Sequence, residues 1–185
     1  MLLPDSMLGA LQRQIDDHFY PAWGVTAELS AASDLGEGDF ADYGCLIVDE
    51  LDRSALGRHS LDNAGRPIAK IFGGSIVQDG GELSAVLSHE ILEMLADPWG
   101  NVTVLLRHSW DQSRGDLYKL EICDAVGRST YKIDGVIVSN FLLPAYFQVD
   151  SKGPYDFLGI LSGPFSNSSG GMVHAASVSD IQPMS

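Results

Sequence analysis

Two cysteines in 185 residues, Cys45 and Cys123, are too few and too far apart in sequence to build a disulfide framework. Cys45 falls in the apolar run Cys45-Leu46-Ile47-Val48 and Cys123 in Glu121-Ile122-Cys123-Asp124, so both are expected to be small buried hydrophobes, and a reducing cytoplasm is the expected compartment. Basic residues are scarce as well, with 11 Lys and Arg against 25 Asp and Glu and a formal net charge of -14. That balance repels phosphates, and the Lys and Arg are scattered, which argues against nucleic acid as a direct partner. Acidity of this kind serves solubility, and it also suits hard cations such as calcium. Apolar runs are short: none could span a bilayer, and Met1-Leu2-Leu3-Pro4-Asp5-Ser6-Met7 lacks the basic and long apolar regions of a secretory signal, so neither a membrane partner nor export by that route is expected. There is no G-x-S-x-G elbow and no Walker loop, because Gly73-Gly74 and Gly80-Gly81 do not have the phosphate-loop spacing, and no internal repeat is visible.

What is present is enough apolar material, 45% of the residues, for one sizeable core. Residues 8–20 place Leu8, Leu11, Ile15 and Phe19 at helical spacing, with Pro21 following as a stop. Short strands are expected at 25–29, 44–48 and 67–72, with Asn63-Ala64-Gly65 as turn chemistry before the last; 75–78, bracketed by glycine pairs, reads as an edge strand or an irregular approach to the next helix. Residues 82–96 contain no Gly or Pro, and Leu83, Leu87, Ile91 and Met94 form an apolar face widened by Val86, Leu92 and Leu95, which predicts a mostly buried helix that Asp97-Pro98 ends. Further strands are expected at 102–106, 117–122 and 131–133, with a hairpin turn at Ile133-Asp134-Gly135-Val136 leading into 136–139. The fold expected is α/β of the α+β kind, with a mixed sheet, over residues 1–147. Residues 148–185 shift to Gly, Ser and Pro and are expected to be a loose tail, or one ordered by a partner.

The chemistry concentrates in Ser88-His89-Glu90-Ile91-Leu92-Glu93. His89 and Glu93 are four residues apart, so a helix stacks them on one face and lets an imidazole nitrogen and a carboxylate oxygen address one ion. Glu90 is turned from His89 by about 100°. In the H-E-x-x-H arrangement that glutamate is not a ligand; it accepts a proton from the water that the ion polarises and passes it to the leaving group. Here the first ligand and the base are kept, and Glu93 stands where a second histidine would be. A carboxylate is an acceptable zinc ligand, and its charge weakens the ion as a Lewis acid and widens the choice of metal toward manganese, iron or calcium. The bland alternative is a buried helix whose polar stripe happens to carry His, Glu and Glu; against it stands the cost of burying three ionisable groups without compensation.

A third ligand could come from Glu121, Asp124 or Asp97. Asp97 would lie about 12 Å along a straight helix from His89, too far to share its ion, which favours a helix-end carboxylate bonded to a ligand or to local backbone. Glu121 and Asp124 flank the apolar Ile122 and Cys123, so one can face the metal helix while the other caps the turn at 125–128, and Glu121 ranks first. The alternative for both is an ordinary strand with a solvated acid. His18, His59, His108 and His174 are isolated in sequence and are expected at the surface or in structural roles.

The stretch from Leu8 to Phe147 resembles the zincin-like metallopeptidases, and in detail the H-E-x-x-E, Asp-Pro and Glu-Ile-x-Asp segments, here at 89–98 and 121–124, resemble uncharacterised bacterial and phage proteins. The resemblance implies a mixed sheet, an active-site helix, a smaller C-terminal part supplying the third ligand, and zinc. It also implies a peptide or protein substrate added to an edge strand, at 67–72 or 75–78, and Tyr146 as a candidate oxyanion stabiliser, although a core aromatic with a polar tip is the plainer role for that residue. Two rival readings accompany the hydrolase: an inactive zincin-fold structural or virion-associated protein that keeps the metal as a staple and assembles through its tail, and a calcium-dependent binding module built on Asp97, Glu121 and Asp124.

Overall fold

The structure, a computed structural model of the chain, describes residues 3–32 and 43–179. Among these residues it is a mixed α/β fold with three small sheets. Helix α1 (Asp5–Arg13) runs on through a wider π-helical stretch (Gln14–Phe19) into the short α2 (Tyr20–Trp23), where Gly24 closes it at φ 70°. Pro21 does not stop this helix; it falls at the start of α2, directly after the wider π-helical stretch. The strand expected at 25–29 does not form. That segment is held instead by the Gln12 side chain, whose amide donates to the Ala27 carbonyl at 2.9 Å while its oxygen accepts the Leu29 N–H at 2.8 Å.

The first sheet is mixed, with β3 (Pro67–Phe72) between β1 (Gly44–Val48), parallel to it, and β2 (Gly57–Leu61), antiparallel to it. The segment expected as an edge strand at 67–72 is thus central, with both edges paired. Residues 75–78 are helical, within α3 (Gly73–Asp79). Here the backbone passes so close to the β1–β2 connection that a Cβ on Gly74 would lie 2.8 Å from the Glu50 carbonyl oxygen, and Ser75 Oγ accepts the Asp52 N–H at 2.7 Å.

Helix α4 (Leu83–Ala96) crosses the middle of the molecule, burying Leu87, Leu92 and Leu95 against Ile15, Ile71 and Ile122 in one core. The second sheet orders β4 (Thr103–His108), β5 (Asp111–Lys119) and β8 (Ala175–Val178), all antiparallel. The strand expected at 117–122 therefore starts earlier and ends at Lys119, which frees residues 120–123 to turn toward α4. Between these elements β6 (Thr130–Ile133) and β7 (Val136–Ser139) form the expected hairpin, with Asp134 at φ 47° and Gly135 at φ 85° as a type I′ turn demands.

The described part of the tail, 148–179, makes specific contacts with the rest of the fold. Asp156, fully buried, accepts the Leu161 N–H at 2.8 Å and the Asn140 side-chain amide at 2.7 Å, Leu161 joins the core, and β8 completes the second sheet. Its glycines and serines supply backbone bonds rather than apolar area: Ser168 and Met172 donate their N–H groups to Ala125 and Asp124, both at 2.9 Å. Residues 180–185 of the expected tail lie outside the described residues. Among the described residues no helix is long and apolar enough to cross a membrane.

Candidate metal centre

Helix α4 is fixed in rotation by a buried polar network one residue before His89. Ser88 Oγ donates to Gln14 Oε1 at 2.6 Å and accepts the Ser139 N–H at 2.9 Å, while Gln14 Nε2 donates to the Ser139 carbonyl at 2.8 Å. The π-helical stretch, α4 and β7 are locked together, and every group in the network is paired. With Ser88 and Leu92 turned to the core, His89 and Glu93 face an open cleft of about 750 Å³, with Glu90 beside them.

His89 Nε2 stands 3.3 Å from Glu93 Oε2 and 3.2 Å from Asp124 Oδ1. A tetrahedral ion with bonds of about 2.1 Å spaces its ligands by roughly 3.4 Å, so these separations suit one small cation. Glu93 is held in place by its other oxygen, Oε1, which accepts the Cys123 N–H at 3.0 Å. Asp124 begins a one-turn 3-10 helix (Asp124–Val126), and its Oδ2 meets His174 Nε2 at 2.9 Å. Glu121 is not in this set. It faces His59, whose Nε2 lies 3.6 Å from Glu121 Oε2 and whose Nδ1 lies 3.6 Å from Glu93 Oε2 and 3.5 Å from Glu90 Oε2. Two groups of possible ligands result, His89, Glu93 and Asp124, and His59, Glu93 and Glu121, each with its donor atoms within 4.8 Å of one another.

Burial and crowding set the charges. Burial works against the charged form of His89, but Glu93 and Asp124 outweigh it and hold the ring well above its ordinary pKa. His59 is raised in the same way, burial being outweighed by Glu90, Glu93 and Glu121. Burial raises Glu90, and burial with the neighbouring Glu93 raises Glu121. Asp124 runs against its burial and is lowered, through His89 and then His174. Glu90 Oε2 is buried without a hydrogen-bond partner, in a residue only 5% exposed. A carboxylate oxygen so placed is costly unless something else compensates it.

The other expected site residues lie elsewhere. Asp97 is a helix-end carboxylate, accepting the Val102 N–H at 2.7 Å, and it joins neither ligand group, so Asp97, Glu121 and Asp124 do not assemble as a calcium cage. Tyr146 is a core aromatic whose hydroxyl donates to the Ser166 carbonyl at 2.8 Å, and it does not line the cleft, which removes it as an oxyanion stabiliser. Cys123 is fully buried, and burial pushes its thiol well up, as expected of a small hydrophobe. His18 stacks on Phe157 and bonds the Tyr131 hydroxyl at 2.9 Å, and His108 pairs with Asp116 at 2.9 Å; both are structural.

His59, expected at the surface or in a structural role, is at the centre, while His174 is exposed, as expected, and meets Asp124 from the rim. His59 comes from β2, a polar five-residue strand with no apolar alternation to announce it. The available signal was the turn: Asp62, whose Oδ1 accepts the Ala64 and Arg66 N–H groups at 2.8 and 2.9 Å, closes a hairpin and so requires a strand before it. On that strand His59 pairs with Ala69, whose small side chain leaves the ring space, and Gly57 lies so close to Glu90 that a Cβ there would come within 2.7 Å of Oε1. For His174 the sequence carried no signal. Comparisons with protein-family models, with curated proteins and with solved structures found no match.

Proposed function

We propose that the chain is a metal-dependent hydrolase of the metallopeptidase type, on a zincin-like plan, with a divalent cation, zinc before manganese, iron or calcium, held by His89, Glu93 and Asp124. The observation that carries this reading is the convergence of those three donors at 3.2 and 3.3 Å beside Glu90 Oε2, a buried oxygen that accepts no hydrogen bond. The donor set fits such an ion in chemistry as well, with one imidazole and two carboxylates, the second oxygen of each carboxylate already engaged by Cys123 or His174. When bound, the cation would polarise water and a substrate carbonyl.

The chain's own residues supply the rest. Glu90 holds and releases the proton at Oε2, and its raised pKa is the right direction for a group that must take a proton near neutral pH and give it back. His59, at 3.5 Å, orients that carboxylate. The cleft is bordered by Gly57, Arg58 and His59, so β2, an edge of its sheet, takes the place of 67–72 as the strand to which an extended peptide or protein substrate would add. The test is hydrolysis of a peptide library by the metal-loaded protein. Glu90→Gln is expected to keep the metal and lose about two to four orders of magnitude in rate; turnover undiminished in that variant would remove Glu90 as the base.

A second reading, an inactive zincin-fold protein of the cytoplasm or of a virion that keeps its metal as a staple, draws support from the elements the site joins. His89 and Glu93 belong to α4, Asp124 to the 3-10 turn after β5 and His174 to the tail. A stable fold that requires the metal, with no turnover on any peptide, would favour it.

A further inference from the structure

The donor groups around Glu93 extend beyond the one set that holds the first cation. Glu90, Glu93, Glu121 and Asp124 converge on one cleft, and every ion pair they make among the described residues is to a histidine, His59, His89 or His174. The donor atoms also fall into two sets rather than one: the set of His59, Glu93 and Glu121 and the set of His89, Glu93 and Asp124 share only Glu93. Glu90 Oε2, which accepts no hydrogen bond and belongs to a residue 5% exposed, lies beside the set of His59, Glu93 and Glu121, 3.5 Å from His59 Nδ1.

We propose that the centre is binuclear, with a second divalent cation held by His59, Glu93 and Glu121 and with Glu93 as the bridging carboxylate. The proposal rests on the mononuclear reading above and extends it. In paired-cation sites the two ions lie about 3.5–4 Å apart and clamp the attacking and leaving oxygens together, a geometry shared by aminopeptidases and by phosphoester hydrolases. Glu121, which sequence ranking placed at the first ion, then belongs to the second. Lys119 acts on Glu121 only at longer range, so no fixed cation competes for that place among the described residues. Asp124 lacks the second set's geometry and stays with the first.

The experiment is a manganese(II) titration of the metal-free protein, read by bound-metal stoichiometry after dialysis and by electron paramagnetic resonance. Two equivalents with the spectrum of an exchange-coupled pair are expected, falling to one uncoupled equivalent in Glu121→Gln. The coupling in the parent protein does not depend on whether a variant folds. One equivalent at saturation with no coupling overturns the binuclear proposal and leaves the mononuclear reading intact; if His59→Ala abolishes that single equivalent, His59 is a fourth ligand of one ion. No bound metal at all removes both.

Discussion

His89 and His59 are held protonated above the ordinary 6.5 by the acids around them, so in the metal-free protein their charge is part of what balances the cleft. Each contributes stability that is fully present below the unfolded value of about 6.5 and is lost as pH rises through its raised folded value. The raised Glu90 and Glu121 act in the same sense, while the lowered Asp124 matters only in acid, where its contribution is lost as pH falls through its folded value. The metal-free protein, kept so with chelator, is therefore expected to need more urea to unfold at pH 6.5 than at pH 8.5. Bound metal demands unprotonated histidine, so affinity is expected to run the other way, weakening by about tenfold per pH unit for each histidine proton displaced. A titration of manganese(II) at several pH values checks the second trend, and affinity unchanged across that range would mean that no histidine is a ligand.

Among the elements, α4 was legible from sequence because its signals agree: no breaker inside, an apolar face at helical spacing, Asp97-Pro98 at its end, and a His-Glu-x-x-Glu stripe. The hairpin at Asp134-Gly135 was legible for the same kind of reason, a turn dipeptide between β-branched runs. Strand β2 was not, since Gly57-Arg58-His59-Ser60-Leu61 is polar on both faces and is defined by pairing with β3 rather than by propensity. The candidate site shared that fate: the half on α4 could be read, and the half on β2 and near β8 depends on long-range packing. The Gln14, Ser88 and Ser139 network is the physical link that sets α4 against β7, and it too has no local signature. Gln14→Leu leaves the Ser88 hydroxyl and the Ser139 carbonyl without these partners in the core, which is expected to cost about 2–4 kcal/mol. Urea denaturation of the metal-free variant measures it; a loss under about 0.5 kcal/mol would mean that the network is not what orients the helix.

At the scale of the whole molecule, residues 148–179 close the fold over the site. The tail bonds the turn that carries Asp124 through Ser168 and Met172, sets His174 on Asp124 Oδ2, and is pinned by Asp156 against Asn140. It buries few large apolar groups, and its contacts are backbone pairing and one buried carboxylate, which composition does not announce. Asp156→Ala strips partners from the Ile160 and Leu161 N–H groups and the Asn140 amide, and is expected to destabilise the protein by about 2–5 kcal/mol and weaken metal binding with it. Hydrogen exchange would then show residues 157–178 opening first, whereas uniform protection in the variant would mean that the pin is dispensable. The proposed centre requires an ion at Glu93, where α4, β2 and the 121–124 turn meet. The most direct measurement is elemental analysis of the purified protein beside Glu93→Gln, which can still accept the Cys123 N–H bond. At least one equivalent of zinc or another divalent metal in the parent, lost in the variant, is the result expected; no metal in a folded parent supplied with zinc and manganese would contradict the metal centre itself.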